Sequence, residues 1–173
     1  IMGNGNDPKA DNPKHRTYLY PYWMDKFEVT NAMYAKCLNV GACTHPALYD
    51  YYFGNWAYRD YHVVYVNWYQ ADQYCRWAGR SLPTEAQWEK AARGTDGRRY
   101  PWGNQPPYPL LVNFTLSLIG EPVPVFRYPL GASPYGVLNM AGNVREWIAD
   151  WYDENYYQSS PNANPLGPTT GTQ

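Results

Sequence analysis

The stretch from Ser133 to Asp153, SPYGVLNMAGNVREWIADWYD, constrains the fold of this chain more than any other. Asn139, Gly142 and Asn143 fall close together in it, and these residue types enter left-handed backbone conformations at low cost. A chain that turns at such points does not continue as a regular helix or strand. Its successive carbonyls converge instead, and Glu146 follows within reach of the same turn. A hard divalent cation takes roughly six to eight oxygens from carboxylates, Asn side chains and backbone carbonyls, so the stretch is suitable material for a calcium cage. The plainer alternative is a Gly/Asn turn ahead of an amphipathic segment that packs Trp147 and Trp151.

Three further motifs accompany GVLNMAGNVREWIADWYD in order along the chain: FEVTNAMYAKC from Phe27, GRSLPTEAQWEKAARG from Gly79 and YPWGN from Tyr100. Together they resemble the formylglycine-generating enzyme family, also called the sulfatase-modifying-factor domain, from Phe27 to Tyr152. The resemblance implies one α+β domain over residues 1–173, an irregular, loop-rich fold related to that of C-type lectins, with short helices and small antiparallel sheets. It also implies calcium bound by the Asn139 side chain, the Gly142 and Val144 carbonyls and the Glu146 carboxylate. Arg145 departs from the family, which usually has an aromatic residue there; this alters packing but not a ligand. Asn113 matches the start of a second family calcium site whose carboxylate partner is not matched near Ser117, Glu121 being the closest acid.

Composition agrees with a loop-rich chain. Nineteen Tyr and eight Trp stand against four Phe, so mean hydropathy is −0.66 although 45% of residues are hydrophobic. Buried Tyr and Trp need partners for their O–H and N–H groups, which favours irregular loops over long regular elements. Sixteen Pro and fourteen Gly point the same way. A net charge of −1 gives no global field for nucleic acid, and no apolar run approaches the length of a membrane span. Residues 1–14 read as a surface segment, and residues 154–173, with Pro161, Pro165 and Pro168, as a Pro/Ser/Thr-rich strap or linker. The chain opens at Ile1 as a mature or clipped family member would, with no signal peptide in it. It ends where family members run on into an Arg-Gly-Gly-Ser-Trp segment.

Capping signals predict three helices: Asn31 to Leu38 behind Thr30, Trp68 to Ala78 behind Asn67 with Gln70 completing a capping box, and a helix ending at Arg93 behind Thr84 with Gln87 in the same role. Gly41, Gly79 and Gly94 lie just past their ends. Strands are expected over Arg16–Trp23 as an edge, over Phe27–Val29, and over the alternating His62–Asn67. Glu85 and Glu89 share a helix face as an acid/base pair would, but Glu85 sits where negative charge suits the helix dipole. The Tyr-rich window Thr44–Asp60 is either a binding surface for a protein or glycan or a roof over the core.

Cys37 and Cys43 flank LNVGA, a spacing that lets the chain double back within disulfide distance. Two free thiols are the alternative, and a zinc pair has only His45 nearby. A disulfide implies an oxidising compartment, hence a secreted or extracellular protein, periplasmic and cell-surface placement included. Cys75 reads as a core thiol of the second helix. The family's oxidases hold copper with a C-terminal Cys pair that none of these three cysteines matches, so copper is expected only if a pair exists beyond Gln173, and no catalytic residue is assigned. Three functions follow: a non-catalytic, calcium-stabilised domain for binding or self-assembly by strand addition; the front part of a copper oxidase acting on sulfatase cysteines; or lectin-like ligand binding. Asn113-Phe114-Thr115 is also an N-glycosylation sequon.

Overall fold

The computed structural model describes residues 2–3, 15–47, 51–114 and 121–172. The surface segment read over residues 1–14 lies almost wholly outside these, as does Thr115 of the sequon. Three helices carry the regular structure: α1 (Asn31–Asn39), α2 (Trp68–Trp77) and α3 (Glu85–Arg93), with a single turn, α4 (Tyr156–Ser159), near the end. Each of the three starts where its sequence signal places it. Thr30 accepts from the Met33 N–H, and Asn67 with Gln70 and Thr84 with Gln87 form complete capping boxes. Gly41, Gly79 and Gly94 all take positive φ beyond the helix ends.

The expected sheets shrink. Among the described residues β structure consists of isolated bridges, including Thr30 with His62, Tyr61 with Pro124 and Tyr152 with Thr172 in antiparallel sense, and Tyr18 with Ala163 in parallel. The strand predicted over His62–Asn67 stops early because Tyr65 has φ 59°, a left-handed conformation that interrupts extended pairing. The edge predicted over Arg16–Trp23 pairs only at Tyr18, ahead of Pro21, which has no N–H to donate.

Without sheets the core divides into three small clusters. Tyr34, Cys37, Cys43 and Tyr74 pack between α1 and α2; Ala91, Ala92, Val137 and Met140 pack α3 against the 133–153 stretch; Met2, Leu19 and Ala86 close the other side of α3. The Cys37–Cys43 disulfide, with Cα atoms 5.3 Å apart, ties the end of α1 into the first cluster. Tyr34 stacks on Tyr74 at 5.7 Å and donates its O–H to the Thr44 carbonyl, the kind of partner a Tyr-built core requires. Beyond α4 the chain runs over the surface, exchanging hydrogen bonds with Tyr18 through Asn162 and Asn164 and with Tyr152 through Thr172.

Candidate functional site

The 133–153 stretch turns as its composition demands. Asn139, Gly142 and Asn143 have φ of 56°, 76° and 64°, so the backbone reverses repeatedly within five residues. Gly142 is required for space as well as conformation: a Cβ there would lie 2.3 Å from the Asn113 carbonyl oxygen and 2.5 Å from Val112 Cγ2. Asn143 N–H donates to that same Asn113 carbonyl at 2.9 Å. The two Asn-centred segments singled out in the sequence are thus brought together. Asn113 Nδ2 itself donates to the Glu121 carbonyl at 2.8 Å, so Glu121 meets Asn113 through its backbone.

A residue the sequence reading passed over holds the turn. Glu28, two positions before the cap of α1, accepts from Asn139 Nδ2 at 2.8 Å through Oε2 and from Asn143 Nδ2 at 3.0 Å through Oε1. Asn139 Nδ2 also donates to the Val125 carbonyl at 2.7 Å. An amide whose nitrogen makes both inward bonds presents its Oδ1 the other way, which is the atom a cation would take. Among the described residues neither the Gly142 nor the Val144 carbonyl accepts a hydrogen bond. The signal for Glu28 was present as a lone acid between apolar residues of FEVTN, but a strand reading assigns it no role.

Glu146 completes the arrangement. Its Oε2 accepts from the Trp88 indole N–H at 3.0 Å. Although the residue is exposed overall, crowding of its carboxyl by the surrounding protein dominates, pushing it up to about 7; the Trp88 bond opposes this and the charge of Glu28 adds to it. Glu28 is raised for the same first reason, against its two Asn hydrogen bonds. Two carboxylates that repel one another therefore line the cleft with no described ion pair to either. No group of three or more His, Cys, Asp and Glu side chains converges among the described residues, so a metal here would rest on amide and carbonyl oxygens. That donor set suits a hard cation.

His62 is buried against this network. Asn143 Nδ2 lies 3.3 Å from His62 Nδ1, while Asn143 Oδ1 accepts from the Val123 N–H at 3.3 Å, which fixes the amide orientation. A donor at Nδ1 leaves the ring hydrogen on Nε2, which has no partner among the described residues. Burial holds the imidazole down at about 4. The segment after Glu146 carries no regular structure over residues 145–148. It is stitched to the start of α2 and the residues before it by Trp68 Nε1 to the Ile148 carbonyl and Trp147 Nε1 to the Val66 carbonyl.

Loop and helices enclose a cleft of about 740 Å³. The first two core clusters border it through Tyr34 and Tyr74 and through Val137 and Met140, and the third through Tyr22, which packs against it; Glu28, His62, Val144 and Glu146 also line it. Cys75 also lines it. It is half-buried, not a full core residue, and burial pushes its thiol up to about 11. With Cys37 and Cys43 bonded to each other, the cysteines of these 173 residues do not supply a copper pair. Glu89 is held by Arg93 and accepts the Gly3 N–H at 3.1 Å, while the Glu85 carboxyl bonds Tyr157, so the two carboxylates of this helix are engaged by different partners. In the Tyr-rich window, Tyr51, Tyr52, Tyr58 and Tyr61 contact edge to face or tilted, and Arg59 stacks over Trp56 at 4.1 Å. The neighbouring residues 48–50 lie outside the described part.

Known proteins resemble this chain in sequence and in fold. The chain is 45% identical over 125 residues to the formylglycine-generating enzyme of Streptomyces coelicolor, covering 63% of this chain and 38% of that one. It is 32% identical over 189 aligned positions to the serine/threonine-protein kinase pkn1 of Chlamydia caviae, covering 99% of this chain but 30% of the kinase. The chain thus spans well under half the length of either. Among solved structures, the Treponema denticola variable protein 1 superposes with a TM-score of 0.74 over 98% of this chain and 76% of its own, at 20% identity, a likeness of fold alone. The sulfatase-modifying factor enzyme 1-like domain family matches residues 1–171, and on that match, with the enzymes at 41–45% identity, the chain belongs to the formylglycine-generating enzyme family.

Proposed function

We propose that this chain is a calcium-stabilised binding domain that assembles, through its central cleft, with an extended segment of a second copy. One observation carries the reading: a cleft of about 740 Å³ runs between all three core clusters, where a small domain ordinarily packs its centre. Its apolar walls lie beside backbone paired only by single bridges, a combination that suits strand addition. The loop from Val137 to Glu146 forms part of the wall, so a cation held by Asn139, Gly142, Val144 and Glu146 would fix the shape of the cleft. Bound calcium would supply positive charge between Glu28 and Glu146, and the protein's part is to hold the amide and carbonyl oxygens in place. The Cys37–Cys43 disulfide supports an oxidising, secreted or extracellular setting.

Light scattering in calcium and in EDTA, with intact mass on the same sample, tests this. The expected result is a species of twice the 20.0 kDa chain mass or more in calcium that shifts toward monomer in EDTA. A monodisperse monomer in both refutes assembly. Trp23, fully exposed at the rim of the cleft, provides a variant: Trp23→Ser is expected to weaken association without lowering the melting temperature.

A second reading, the front part of a formylglycine-generating oxidase, is favoured by the 41–45% identity to proteins of that name. It requires thiols these residues do not provide. Oxidation of a sulfatase-derived cysteine peptide by the intact chain with added copper separates the readings, since binding and assembly predict no turnover.

A further inference from the structure

Beside the cleft lies a second cavity of about 240 Å³, bordered by Trp68, Trp147, Trp151, Tyr152, Tyr156 and Tyr157. Its charged lining is of one sign. Glu85, Asp150 and Asp153 line it, with Glu146 where it meets the cleft, and among the described residues no Lys, Arg or His does. His15 does not line it, but stands edge-on to Tyr157 at 4.9 Å and interacts electrostatically with Glu85, whose carboxyl also takes a hydrogen bond from Tyr157. Asp150 accepts the Glu85 N–H at 3.0 Å and Asp153 the Asn155 N–H at 2.8 Å, and no described ion pair involves these carboxylates. The indoles of Trp68 and Trp147 donate their N–H groups to the Ile148 and Val66 carbonyls, so ring faces and not N–H edges remain for an occupant.

The chemistry of such a cavity selects among ligands. A neutral apolar group leaves the carboxylates uncompensated, and an anion is repelled. Sodium or ammonium would surrender a tight hydration shell for aromatic surface. An alkylated ammonium is weakly hydrated, carries the required charge, and is attracted to the faces of Trp and Tyr. The volume, below the roughly 300 Å³ where drug-sized pockets begin, suits a small headgroup. We propose that this cavity binds a quaternary ammonium group of the kind choline carries. Glycine betaine should bind less well, because its carboxylate would meet Asp150 and Asp153.

The test is calorimetric titration of the intact chain, in calcium, with choline chloride, tetramethylammonium chloride, glycine betaine and sodium chloride at matched ionic strength. Saturable binding of choline and tetramethylammonium is expected, with none for sodium and betaine at least about fivefold weaker. Trp151→Ala should weaken choline about fivefold or more by removing one ring face. Asp153→Asn removes a charge from an exposed residue and should weaken it with an unchanged melting curve; it decides the matter if Trp151→Ala does not fold. Absence of saturable choline binding, betaine binding as tightly as choline, or unchanged affinity in Asp153→Asn would each overturn the assignment.

Discussion

At the scale of single residues, two positions carry sharp consequences. His62 is neutral and buried, with its imidazole held at about 4 against an ordinary 6.5. The unfolded chain therefore binds a proton that the folded chain refuses, so the stability this histidine contributes is complete above pH 6.5 and is lost as pH falls toward 4. That amounts to about 3 kcal/mol by pH 4. The raised carboxyls of Glu28 and Glu146 act in the opposite sense, so the difference between the native chain and His62→Gln isolates the histidine. The gap between their melting temperatures should change over pH 6.5 to 4 in favour of the variant; parallel curves would show that His62 is not buried neutral. Gly142→Ala drives a Cβ into the Asn113 carbonyl at a positive φ and should cost about 2 kcal/mol or more, read from urea unfolding. The need for glycine at 142 was legible from the Gly/Asn spacing. The roles of Glu28 and His62 were not, because both depend on contacts more than eighty residues away along the chain, Asn143 being the shared partner.

Elements divide along the same line between local and distant causes. The helices were readable because their starts are set within four residues: Thr30, Asn67 and Thr84 each cap their own first turn. Thr84→Ala should accordingly cost about 1 kcal/mol and fray the start of α3, seen as faster amide exchange at Gln87. The disulfide was readable for the same reason, since Cys37 and Cys43 are six residues apart. Peptide mapping without reduction should recover them as one linked species with Cys75 alkylated, and replacing both by Ser should cost about 2 kcal/mol. Recovery of Cys37 and Cys43 as separate alkylated thiols would remove both the bridge and the argument for an oxidising compartment. Strands were misjudged because pairing is never local. The alternation in HVVYVN describes a pleated surface, but whether it pairs depends on Tyr65, whose left-handed backbone ends the extension after the bridge to Thr30.

For the whole molecule, the family motifs announced the fold, and the match over residues 1–171 agrees with them. The open centre was not announced. Tyr34, Tyr74, Val137 and Met140 belong to buried clusters and Tyr22 packs against the third, yet each borders the cleft, because three helices with no sheet among the described residues leave the core in separate clusters. Everything proposed for the cleft depends on the loop that forms its wall, and in that proposal a cation beside Glu28 and Glu146 holds the loop. The most direct test is thermal unfolding in millimolar calcium and in EDTA, for the native chain and for Glu146→Gln. A ligand that binds only the folded state raises the melting temperature by linkage. The expected result is a melting temperature that rises with calcium in the native chain and does so much less in Glu146→Gln. Superimposable melting curves of the native chain in calcium and in EDTA would contradict it.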